Sequence, residues 1–418
     1  MTKNINKRGF ASMKHNATES AALPPIEKVE IGSRGELIVN GEPFIPLMSW
    51  LQEPESEYSS FSYLKSLNFN TFMGTTKDIT PLEHGEEAKK AGGYAVVSQH
   101  NPEQVSEAAG HPYILAWHHP DEPDMPTKNE EGVYEARHDP EMIRERYQFL
   151  RDNNIVRPVF VTFTAYFMKE SKERYNDQKK EEVYPPLVNT ADVVGFDMYP
   201  IYGWGMPCRL NYPASGVRQL VQMANGKPVY AWIETCKGSK WMPYEKQPDV
   251  LPVHTRYQVW SALISGATAI GYFTHAWFPE FTSFAPTQEM RDELTRLNAQ
   301  ITRLSRVILA PYSTRNITVE ITCEEGRTSL LNRFMATECE GCLYLFVQNA
   351  DLGANAESLG QFDHISPRGG FARIEVEGLQ EGSVVEVIDE DRKIAASNGY
   401  FSDEFGPLCE HIYRIRMS

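Results

Sequence analysis

Long apolar runs are missing from this 418-residue chain. No run reaches the 18 residues that a membrane-spanning helix needs. The first fourteen residues, MTKNINKRGFASMK, hold no apolar signal core. The expectation is a cytoplasmic protein, or a secreted or periplasmic one whose signal peptide has been removed. Positive charge is short: 41 Lys and Arg stand against 56 Asp and Glu, a formal charge of −15. Such a chain repels nucleic acid and suits a neutral or cationic small ligand. Cysteine numbers only six, and only Cys339 and Cys342 are closely spaced. A lone CxxC without a second pair reads as two thiols flanking a hairpin turn rather than as a zinc site. Free thiols agree with a reducing compartment. No glycine-rich phosphate loop follows the first strand-like run, which argues against a doubly wound nucleotide-binding sheet.

What is present is an alternation of textures. Residues 1–28 are largely polar and are expected to form a disordered arm. Residues 29–42 read as a short lead-in hairpin. Eight nearly continuous apolar runs follow, at 43–50, 69–75, 93–99, 114–119, 158–166, 193–199, 228–234 and 269–275. That is the signature of parallel strands buried on both faces. Segments with helical period separate them, the clearest being Met290, Leu294, Leu297, Ile301, Leu304 and Ile308. Eight such units over residues 29–312 predict a (β/α)₈ barrel. From residue 313 to 418, strand-like runs succeed one another without helical period, which predicts a small all-β sandwich. A long polar loop lies at 350–370 within it.

In a barrel the reactive groups come from the C-terminal ends of the strands. Those ends are rich in carboxylates and aromatics. Glu122 closes the run ILAWHHPDEP on the fourth strand, and Glu234 closes PVYAWIE on the seventh. His119 and Asp121 share the end of strand four with Glu122, and Trp50, Asp197, Tyr199 and His275 sit at other strand ends. Trp204, Trp241 and Trp277 fall in the loops after strands six, seven and eight. This mixture suits sugars, whose C–H faces stack on rings while their hydroxyls bond carboxylates.

These motifs, Asp121-Glu122-Pro123, Asp197-Met198-Tyr199-Pro200 and Trp232-Ile233-Glu234, resemble clan A of the glycoside hydrolases. The lead-in GELIVNGEPF at 35–44 and the closing segments around GYFSDEFGP at 399–407 are similar to parts of the same enzymes. The resemblance implies Glu122 as acid/base, Glu234 as nucleophile, and retaining cleavage of β-glycosidic bonds in a neutral glycan without a cofactor. One position departs from the clan, where Asn usually precedes the acid/base; here it is Asp121. A gap of about 5–5.5 Å between the two carboxyls accompanies retention, and about 6.5–9.5 Å inversion. Two further readings stand beside this one: a carbohydrate-binding barrel without turnover, and a metal-dependent hydrolase using His118 or His119. Adjacent histidines on a strand point to opposite faces, so no metal is expected.

Overall fold

The computed structural model describes residues 21–56, 59–323 and 328–417. Residues 1–20 of the expected arm lie outside the described residues. Residues 21–28 are not loose. The Leu23 N–H bonds the Gly92 carbonyl (3.0 Å) and the Ile26 N–H that of Pro112 (2.7 Å), while the Tyr94 hydroxyl donates to Pro24 (2.8 Å). Ile26 is buried. An apolar pair in a polar stretch thus anchors the chain to the N-terminal ends of barrel strands.

A three-stranded antiparallel sheet follows, Val29–Ile31, Leu37–Val39 and Glu42–Phe44. The expected hairpin therefore has a third strand, and the first barrel strand begins only at Leu47. Arg34, in its first turn, donates to the carbonyls of Ile308 and Ala310 (2.6 and 2.5 Å). A helix end leaves such carbonyls unpaired, so a guanidinium there satisfies two at once.

The barrel is closed and parallel throughout. Its strands are Leu47–Trp50, Thr71–Met73, Tyr94–Ser98, Ile114–His118, Val159–Phe163, Val193–Asp197, Val229–Glu234 and Ala269–Phe273. Strand eight pairs with strand one through Ile270 and Leu47, which removes the open edge. Each strand falls within one of the eight apolar runs, so Glu234 ends strand seven and Glu122 follows strand four. Two glycines make room for rings in the interior. A Cβ on Gly195 would stand 2.3 Å from the Tyr230 ring, and one on Gly271 2.2 Å from Trp232.

The helix Gln288–Ile308 starts at Thr287, whose side chain accepts from the Met290 N–H. All six of its predicted stripe residues are buried. Beyond it, a four-stranded and a five-stranded antiparallel sheet pack face to face. Strand Cys342–Asn349 shows the two-sided logic of a sheet. Leu343, Leu345 and Val347 enter the core between the sheets, while Phe346 joins the core of the barrel. Phe346 stacks on Trp260 of helix Pro252–Ile264 at 5.9 Å between ring centres. Arg256 of that helix bridges to Glu410 in the sandwich and Glu293 in the barrel.

Trp260 is fully buried in this contact. Trp260→Ala is expected to cost about 3–5 kcal/mol. Denaturant unfolding checks this; a loss under about 1 kcal/mol would contradict a packed interface.

Candidate active site

The loop after strand four is built around a buried anchor. Asp124 accepts from the Thr164 N–H (3.0 Å), the Thr164 hydroxyl (2.6 Å) and the Tyr184 hydroxyl (2.8 Å). Its own carbonyl accepts from the Tyr175 hydroxyl (2.7 Å). This ties the loop to strand five and the helix beyond. Glu122, two residues earlier, takes φ 46°, a left-handed conformation that non-glycine residues adopt at a cost. A two-stranded hairpin, Pro126–Lys128 with Tyr134–Ala136, then brings Arg137 back to the Glu122 carboxylate at 3.3 Å. Neither the hairpin nor Arg137 is visible as a site element in the sequence pattern.

Asp197, at the end of strand six, lines the same cavity as Glu122, and a hydrogen bond between their carboxyls pulls Glu122 down while it raises Asp197. Burial holds the Asp197 carboxyl well above the usual range, and the Glu122 and Asp121 charges push the same way. Burial also raises Glu122, against the pull of Arg137. Asp121 is pushed up to about 7 by burial first and by the Glu122 charge second, with Arg137 opposing. Three crowded carboxyls thus retain a proton near neutral pH.

These groups face a cavity of about 580 Å³ at the barrel mouth. Its wall includes Trp50, Asp121, Glu122, Asp197, Tyr199, Trp241, His275 and Trp277, all expected from the sequence. Trp204 lines an adjoining cavity. Trp232 and Thr162 also line the first cavity, with Trp50 and Trp232 in ring contact at 5.3 Å and the Trp232 indole N–H donating to the Thr162 hydroxyl (3.3 Å). Lys240 is the wall's cation, its ammonium 4.4 Å above the Trp277 ring. Thr162 and Trp232 lie within their strands and Lys240 in a loop, so none of the three stands at a strand end, where the sequence pattern marks site residues.

Two expectations fail on placement. His119 does not line the cavity: its Nδ1 accepts from the Gln99 amide (2.9 Å) and its Nε2 donates to the Thr190 carbonyl (2.7 Å). Burial lowers its pKa to about 4, so it stays neutral as a fully bonded wall residue. Glu234 is fully buried and contributes nothing to the cavity wall. Its carboxylate accepts the N–H groups of Ile201 (3.0 Å) and Tyr202 (2.7 Å) and the Gln258 amide (2.9 Å). Burial pushes it up to about 7 while these three donors pull it down. A nucleophile must touch the reacting carbon, and this carboxylate instead clamps the loop after strand six. The structure separates the two glutamates: one on the cavity, one behind its wall.

Among the described residues, no group of three or more His, Cys, Asp and Glu side chains is arranged to hold a metal ion, and no helix is long and apolar enough to cross a membrane.

The fold is that of a (β/α)₈ barrel with an appended β-sandwich, with an acidic, aromatic-walled cavity at the C-terminal ends of the strands. No family model and no curated protein matches the sequence. Solved structures do match it in shape. A putative glycoside hydrolase from Bacteroides vulgatus aligns over 97% of this chain and 83% of its own, with a TM-score of 0.53 and 12% identity. A family 30 subfamily 8 xylanase from Clostridium acetobutylicum aligns over 89% and 95%, with a TM-score of 0.47 and 10% identity. A family 39 glycoside hydrolase from Bacteroides cellulosilyticus aligns over 92% and 82%, with a TM-score of 0.46 and 9% identity. At 12% identity the likeness to the Bacteroides vulgatus structure is one of fold alone.

Two predictions follow from the charges and donors. Asp197→Ala removes a hydrogen bond that pulls the Glu122 carboxyl down, and Arg137→Gln removes a cation that does the same, so each variant is expected to raise the Glu122 pKa. Carboxyl-carbon NMR titration reads both, and a fall in either variant would refute the cluster. Glu234→Ala orphans three buried donors and is expected to cost on the order of 3–5 kcal/mol. Glu234→Gln costs less, because the Gln258 Oε1, buried without a partner, can turn to accept from the new amide. Equal losses in the two variants would count against the clamp.

Proposed function

We propose that this protein hydrolyses glycosidic bonds. The observation that carries the reading is the pair of carboxyls, Glu122 and Asp197, on the wall of the aromatic-lined cavity. A glycosidic oxygen is a poor leaving group and needs a proton as the bond breaks; the anomeric carbon then becomes cationic and needs a facing carboxylate. Glu122 is the proton donor in this reading, its carboxyl raised by burial. Asp121 beside it adds negative charge to the site when ionised. The C–O bond breaks and the leaving oxygen takes the proton. Water gives its oxygen to the anomeric carbon, and its released proton restores the carboxyl pair. Trp50 and the exposed Trp241 offer ring surface to the sugar, and Lys240 a donor to its hydroxyls.

The finer reading, a β-linked neutral glycan cleaved with retention, rests on the resemblance of the strand-end motifs. The burial of Glu234 moves the nucleophile role away from strand seven and toward the aspartates on the cavity.

Glu122→Gln is expected to lower kcat/KM on a panel of aryl β-glycosides and β-glucans by about 10²-fold or more, and Asp197→Asn to do so comparably. Glu234→Gln is expected to stay within about tenfold, consistent with a clamp that touches no substrate. In the wild type, activity falls as pH rises through the raised range of the cluster, because the donor then loses its proton. Unchanged turnover in Glu122→Gln would overturn the assignment. Glycan binding without any wild-type turnover would return the chain to the binding-barrel alternative.

A further inference from the structure

A second cavity, about 740 Å³, lies beside the first. Four residues line both: Glu122, Asp197, Tyr199 and Trp241. The carboxyl pair therefore stands at the junction of two spaces. The second runs between the segment after strand five and the one after strand six. Part of the charged stretch 169–182 forms its wall through Glu170, Glu173 and Arg174. The rest of the wall is largely aromatic and thioether, including Tyr166, Met168, Trp204 and Tyr212.

Trp204 is an exposed ring that belongs to the second cavity and not to the first. It keeps 38% of its surface exposed and meets Tyr212 edge to face, with 6.3 Å between ring centres. An exposed indole in a cavity wall is a stacking surface for a sugar face. Its backbone is held from two sides. Within its own loop, the Gly203 N–H bonds the Tyr199 carbonyl (2.7 Å) and the Gly205 N–H that of Ile201 (2.9 Å). From the C-terminal sandwich, the Gln361 amide donates to the Trp204 carbonyl (2.9 Å) and the Phe362 N–H to that of Gly205 (2.7 Å). The fit is tight: a Cβ on Gly205 would stand 2.8 Å from the Phe362 ring.

We propose that the second cavity holds the leaving-group side of an oligo- or polysaccharide stacked on Trp204, so that the enzyme cuts within chains, and that Gln361 and Phe362 are positioning residues for that ring. This rests on the glycosidase reading above. A substrate ending at the carboxyls would fill only the first cavity. A chain crossing the junction fills both and places its glycosidic oxygen at Glu122. Hydrolysis then proceeds by the balanced step already given.

The test uses the 418-residue chain with cellohexaose, xylohexaose, mannohexaose and chitohexaose, beside the matching monoglycosyl fluorides, whose single-atom leaving group does not reach the second cavity. Trp204→Ala is expected to raise KM for the accepted hexasaccharide roughly tenfold, the worth of about one stacking contact. The monoglycosyl fluoride is expected to keep its kcat/KM within about twofold, and Trp204→Phe to recover part of the loss. Phe362→Ala is expected to raise KM for the hexasaccharide with kcat unchanged. Internal products at early times support the proposal. Release of single sugars from chain ends alone, or equal losses on long and short substrates in Trp204→Ala, overturns it. If the wild type turns over no substrate, hexasaccharide binding to Glu122→Gln decides by calorimetry. Weakening of that binding by added Trp204→Ala keeps the cleft while the reaction fails, and binding unchanged within about twofold overturns the cleft as well.

Discussion

A carboxylate that solvent never reaches holds the rim of this barrel in shape. Glu234 takes two successive backbone N–H groups, from Ile201 and Tyr202, and the Gln258 amide. Those two residues begin the loop that carries Tyr199 on one side and Trp204 on the other. Removing a charge from water is costly, and only several good donors offset it. The arrangement is therefore all or nothing, which suits a part that must fix a loop. Asp124 does the same beside strand four, with Thr164 and Tyr184 as its donors. Two hidden carboxylates set the frame from which the exposed ones work.

The exposed ones obey a different economy of charge. Asp121, Glu122 and Asp197 crowd one wall with Arg137 and Lys240 as cations nearby. The Glu122 charge raises Asp121 and Asp197, loss of surrounding water raises all three, and Arg137 pulls Glu122 back. Such a cluster holds a proton where isolated acids would have lost it. The left-handed backbone at Glu122 places the acid at the meeting point of the two cavities, an instance of strain kept where position matters more than comfort.

The sequence was most legible where burial dictates residue type. Each of the eight barrel strands falls within an apolar run, because strands covered on both faces admit little else. The stripe from Met290 to Ile308 is buried as its period predicts. The strand ends gave the cavity wall, since topology alone carries Trp50, Asp121, Glu122, Asp197, Tyr199 and His275 to one mouth. What pattern could not tell was which way a strand-end carboxylate turns. Glu122 and Glu234 look alike in sequence, yet the donors that claim Glu234 come from a loop and a helix distant in the chain. His119 misled for the same reason: its partners, Gln99 and Thr190, are remote. Arg137 was hidden behind a short hairpin with no strong period, and residues 21–28 by a polar context around Leu23 and Ile26.

The contact of Gln361 and Phe362 with the loop around Trp204 has a consequence for how such a chain can change over evolutionary time. An appended domain that touched only the outside of the barrel could be exchanged for another like a cartridge. Here the sandwich lends a finger to the mouth itself, so any replacement must bring its own brace of the same reach. The two halves are bound to one shared history, and drift in the tail is felt at the rim.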